Sequence, residues 1–132
     1  MSIEHVNPPE LGRPSGFSHA TVATGRMVFL AGQTALDPAG QIVGQTVVEQ
    51  FEVALTNLLA ALRAAGGAPE NLASLTIYIV DMDDYKAHTR EIGRVWRRLV
   101  GAAYPAMAGI GVARLWDVEA LVEIQGHAVL SV

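Results

Sequence analysis

The residues best placed to do chemistry lie near the C-terminus. Alternation along a strand there puts Leu121, Glu123, Gln125, His127 and Val129 on one face. A carboxylate among Leu, Val and Ile side chains is costly to bury without a partner. Glu123 is therefore either paired structurally or held in a cleft where it handles protons. His127 shares its face, and a role as polar neighbour is open. The four histidines, His5, His19, His88 and His127, lack the spacing of metal ligands, so no metal site is expected. Gly66-Gly67 ends a helix where a phosphate cradle would open one, and no cofactor is expected. Lys86, Arg90, Arg94, Arg97 and Arg98 are five of the nine basic residues. Without an aromatic stacking platform they read as a solvated helix flank that also complements the negative end of the helix dipole.

The elements that must position these groups follow from pattern and punctuation. The first 19 residues carry three of the six prolines and read as a short strand followed by an irregular arm. Met27 to Gly32 is a short apolar run with the length and flanks of a buried strand. Asp37-Pro38-Ala39-Gly40 makes a turn. Thr46 and Glu49 have capping-box spacing, and Phe51, Leu55, Leu58 and Leu62 form a helical stripe that Gly66-Gly67 ends. Leu72 to Val80 is a strand rich in β-formers. A second helix is predicted from Asp83 or Asp84 to about Val100, with Tyr85, Ile92, Val95 and Leu99 on its buried side. Strands over 106–115 and 120–130 complete the chain.

Two helices can cover only one face of a sheet of five or six strands. The last strand nevertheless carries large apolar groups on both faces, Leu121 and Val129 on one, Val122, Ile124 and Leu130 on the other. Partner chains are the expected cover for the second face, with folded-over arms and loops as the alternative.

Bulk composition agrees. At 132 residues the chain fits a single domain, 1–132, large enough to hold a core without staples. Hydrophobic residues make up 51% and charged residues 17%, an apolar share that suits subunit contacts. No cysteine is present, so there is neither a disulfide framework nor a thiolate site, and the cytoplasm is the expected compartment. The N-terminus does not read as a signal peptide, and no apolar run approaches membrane-spanning length. A net charge of −4 argues against general nucleic-acid binding. Neither nucleic acid nor membrane is expected as a partner.

Five segments then assemble in order: Phe17-Ser18-His19, Leu30-Ala31-Gly32-Gln33 with the turn at 37–40, Tyr104-Pro105-Ala106, Val112-Ala113-Arg114-Leu115, and Leu121-Val122-Glu123-Ile124. Together they resemble the Rid family, also called YjgF or enamine/imine deaminase, over nearly the whole chain. The resemblance implies a chorismate-mutase-like α+β fold with two helices on one face of a mixed sheet. It also implies a homotrimer around a central barrel, with three clefts between subunits. Active members hydrolyse reactive imines to 2-keto acids and ammonia without a cofactor. In them an arginine directly after Tyr/Phe-Pro-Ala grips the substrate carboxylate, and a glutamate on the last strand positions water.

Carried over by residue, Glu123 matches that glutamate, Gly32 the turn glycine, and Tyr104-Pro105-Ala106 the lead-in to the arginine. Met107 stands at the arginine's position, Phe17 where a phenol lines the pocket, and Thr89 where many members have a helix asparagine. Trp116 replaces a common proline, and one residue is inserted before Glu123. Arg114 is a poor substitute, since seven positions after Met107 on an unbroken strand it points to the opposite face. The expectation is a small-molecule site lined by Phe17, Gly32, Thr89, Tyr104, Pro105 and Met107, with Glu123 as the general base of imine-like hydrolysis. Imino-acid deamination itself is in doubt, because methionine offers no fork of donors for a carboxylate. A non-catalytic ligand sensor and an ordinary imino-acid deaminase are the alternatives.

Overall fold

The computed structural model describes residues 3–131. Three short-range decisions build its helical layer. The Thr46 side chain accepts from the Glu49 amide while the Glu49 carboxylate accepts from the Thr46 amide, closing a capping box at the start of α1 (Val47–Ala64). The Gln45 amide, and after it the Thr46 amide, donate to the Glu49 carboxyl and hold it below its ordinary titration range. At the other end Gly66 adopts φ +94°, a left-handed value that stops the helix. The α1 stripe (Phe51, Leu55, Leu58, Leu59, Leu62) is fully buried, each such side chain contributing about 1.5–3 kcal/mol relative to exposure.

Beneath α1 lies a four-stranded sheet in the order β3-β6-β4-β5, made of β3 (Arg26–Gln33), β4 (Leu72–Ile79), β5 (Ala106–Gly111) and β6 (Val122–Leu130). β6 runs antiparallel to both neighbours, and β5 runs parallel to β4. That parallel pair requires a crossover, supplied by α2 (Met82–Ala87) and α3 (Thr89–Leu99). β1 (Glu4–Val6) and β2 (Ala20–Val22) form a separate antiparallel ribbon. The mixed α+β class expected from the sequence is the one observed.

Several details differ from the sequence reading. The second helix is two helices, broken at His88 (φ −120°, ψ 21°), and it starts earlier, with Asp81 capping the Asp84 amide. Here the side chain of Asp81 competes for the backbone one turn before the aspartates that the pattern favoured. The described residues thus form three α-helices and not two. The strand at 106–115 stops at Gly111, leaving Arg114 in an irregular segment where its guanidinium group donates to the carbonyls of Leu115 and Trp116. The unbroken-strand argument for the direction of Arg114 therefore fails, although the residue remains occupied elsewhere. The sheet has four strands, and β2 was missed because three residues carry too little pattern.

Residues paired directly across strands share a face. Val122, Ile124 and Ala128 of β6 and Leu75, Ile77 and Ile79 of β4 point to the helices and form the core. The opposite face carries Glu123 opposite Tyr78, Gln125 opposite Thr76, and His127 opposite both Ser74 and Phe29. No helix covers this side. Phe29 is 74% exposed, Met27 56% and Ile110 44%.

Candidate functional site

Glu123 is held by two clamps that anchor the chain around it. The buried Gln50 side chain of α1 donates to the carbonyls of Gly44 and Glu119 and accepts from the Leu121 amide at 2.8 Å, fixing the entry to β6. Asn57 donates to the carbonyls of Thr34 and Leu36, both at 3.0 Å, fixing the exit of β3. Between these anchors β3 carries one extra residue against β6, a bulge at Ala31-Gly32. The bulge brings Gly32 against the Glu123 carboxyl so closely that a Cβ there would lie 2.9 Å from its Cδ. Gly32 thus leaves room for the Glu123 carboxyl, which a side chain there would displace. His127 bonds Ser74 (Nδ1 to Oγ, 3.0 Å) and meets Phe29 edge to face, so it is not the partner of Glu123.

The other expected site residues gather at the β5 edge. The arm is stitched to the lead-in of β5: the Ser18 amide donates to the Pro105 carbonyl at 2.9 Å, and the Ser18 hydroxyl donates to the Tyr104 carbonyl at 2.6 Å and contacts His5 Nδ1. Tyr104 stacks on Trp96 with ring planes 9° apart. Met107, Tyr104 and Thr89 line a cleft of about 320 Å³ between the arm, α2–α3 and the sheet. Phe17 lines an adjoining cleft that shares Met107 and Tyr85 with the first. Pro105 is buried and lines neither; its side faces a third hollow beside His5 and Leu72.

Met107 pairs with Leu75 and so faces the helices, whereas Glu123 pairs with Tyr78 on the open face with β4 between. Within one protomer, Glu123 and Gly32 are therefore separated from Phe17, Thr89, Tyr104 and Met107. Positions 107 and 123 therefore do not lie side by side within one chain.

Sequence reasoning missed a ridge. Tyr85, Thr89, Gly93 and Arg97 recur every fourth residue and all line the larger cleft. Thr89, Gly93 and Arg97 form one row on α3, with Tyr85 on α2 across the break, and a glycine inside a helix was the available flag. The half-buried Tyr85 phenol is pushed up to about 12 by desolvation, so it stays a neutral hydroxyl. Among the described residues, no group of three His, Cys, Asp or Glu side chains could hold a metal ion, and no helix is long and apolar enough to cross a membrane.

The helix-backed mixed sheet and its edge cleft define a class, the YjgF-type α+β domain, and comparison with known proteins agrees. Residues 10–130 match the Endoribonuclease L-PSP family, and the chain belongs to this family, the Rid group. It is 36% identical to the RutC family protein slr0709 of Synechocystis over 132 residues, 98% of each chain. It is 35% identical over 95 residues, 71% of this chain and 66% of the relative, to the 2-iminobutanoate/2-iminopropanoate deaminase of Capra hircus. The crystal structure of the Rid-family protein YyfB from Yersinia pestis superposes with a TM-score of 0.88 at 34% identity, covering 98% of this chain and 100% of that one.

Proposed function

We propose that this protein hydrolyses an imine- or enamine-like bond in clefts shared between three copies of the chain. The observation that carries this reading is the split site. Glu123 and Gly32 lie on the open sheet face, while Met107, Thr89 and Tyr104 line a cleft on the helix side of the opposite edge. A neighbouring copy packed on the open face would bring the two halves together. The exposed Phe29, Met27 and Ile110 give that face the apolar surface such packing needs.

Glu123 then accepts a proton from water as its oxygen adds to the C=N carbon. The nitrogen takes a proton, the C–N bond breaks, and a carbonyl compound and an amine or ammonia leave. Such a step needs only a positioned carboxylate, which general-base catalysis values at about 10²–10⁴-fold. With Met107 at the arginine's place, the cleft wall there is apolar and adaptable. Small 2-imino acids therefore lose the grip at position 107 that would hold their carboxylate.

The test compares wild type and Glu123→Gln for ammonia release from freshly generated 2-iminopropanoate and from an uncharged enamine, with light scattering on both. The reading expects a trimer in both proteins and turnover of the uncharged enamine that falls by about 10²-fold or more in the variant. Unchanged turnover refutes it. Ligand binding without turnover in wild type leaves the sensor reading, which the same cleft would serve. Fast turnover of 2-iminopropanoate by wild type establishes the ordinary deaminase that the Capra hircus relative suggests.

A further inference from the structure

We propose that Arg97 is the anion-binding group of this cleft, and that the substrate combines an apolar body lying on Met107 with a carboxylate held at the cleft mouth by Arg97 and the Tyr85 hydroxyl. The inference rests on the cleft being the ligand site, and it deepens that reading by naming the substrate class.

Four observations carry it. The chain has a net charge of −4, yet Arg97 is the one charged residue lining the larger cleft among the described residues. Arg97 forms no salt bridge among the described residues, whereas its neighbour Arg98 pairs with Glu52 at 3.0 Å. The Arg97 side chain folds back along α3 over Gly93, with Nη1 3.7 Å from where a Cβ on residue 93 would sit. Finally, Tyr85 on α2 lines the same cleft, so a neutral phenol is available there as a further donor.

The size of the cleft completes the argument. About 320 Å³ is far more than a three-carbon imino acid fills, and its remaining walls, Phe51, Ile77, Ile92 and Met107, are apolar. A ligand held by its carboxylate at the mouth therefore leaves room for a hydrocarbon or aromatic body inside. A charge-assisted bond from a guanidinium to a carboxylate favours the acid over an uncharged isostere by about tenfold or more.

The experiment is calorimetric titration of the full chain with 3-phenylpropanoate and with 3-phenylpropanamide. Wild type, Arg97→Gln and Arg94→Gln are compared, the last as a nearby exposed cation outside the cleft. The acid is expected to bind wild type and Arg94→Gln about tenfold more tightly than the amide, and Arg97→Gln is expected to bind both alike. No preference in wild type, or a preference that survives Arg97→Gln, overturns the inference. Because binding is read without turnover, a result for Arg97 stands apart from the Glu123→Gln assay. Loss of the acid preference in Arg97→Gln with unchanged turnover in Glu123→Gln would retain the anion site and refute the hydrolytic reading.

Discussion

Replacing Tyr85 with Phe should make the protein relatively more resistant to alkali. Tyr85 lines the cleft against Phe51, ring centroids 6.3 Å apart, and its phenol is raised by burial from 10.0 to about 12. In the unfolded chain the phenol ionises at its ordinary value; in the folded chain it keeps its proton. Between those two values the unfolded state is favoured increasingly as pH rises, so the group's contribution to stability falls with pH. The maximum slope is about 1.4 kcal/mol per pH unit, and at pH 11 the loss amounts to about 1 kcal/mol. Phenylalanine has nothing to ionise. The assay is urea unfolding of wild type and Tyr85→Phe at pH 8 and pH 11, at fixed protein concentration because association shifts apparent stability. The stability gap between the two proteins should move by about 1 kcal/mol toward the variant at the higher pH. A gap that stays constant would mean that the phenol is solvated, and the cleft would lose the neutral donor assigned to it.

Other outcomes follow from single positions. Light scattering at micromolar concentration should report about three times 14.0 kDa, and Phe29→Glu, a charge placed on the open sheet face, should give a monomer; a monomeric wild type removes the shared cleft. Gly126→Ala should destabilise by about 1–3 kcal/mol or prevent folding, because its Cβ would lie 2.1 Å from the Ser74 carbonyl oxygen in the middle of the sheet. Gly32→Ala should leave the melting temperature nearly unchanged, since the clash is with the movable end of Glu123, yet slow turnover by about tenfold as the carboxyl is displaced; equal rates would show that the carboxyl position is not critical. Met107→Arg should raise affinity for 2-oxobutanoate by at least about tenfold in calorimetry, and no gain in a folded trimer would mean that the cleft differs from the motif's expectation.

The turn at 37–40, the α1 cap, the core stripe and the family itself were legible in the sequence because each rests on local spacing. Thr46 and Glu49 close their box within one turn, and Gly40 and Gly66 take the positive φ that their turns require. Glu123 was legible for the same reason, since alternation along one strand settles its face. What stood beside it was not. Within one chain, pairing with Leu75 turns Met107 to the helices and pairing with Tyr78 turns Glu123 to the open face. Register between strands distant in sequence decides that, and one residue of slip reverses it. The bulge that presses Gly32 onto Glu123 likewise comes from how β3 pairs with β6. Arg97 shows the same division most clearly: its helix and its charge are written in the sequence, but only packing of α3 against α1, with Met107 of β5 on the same cleft, turns a basic flank into a cleft wall.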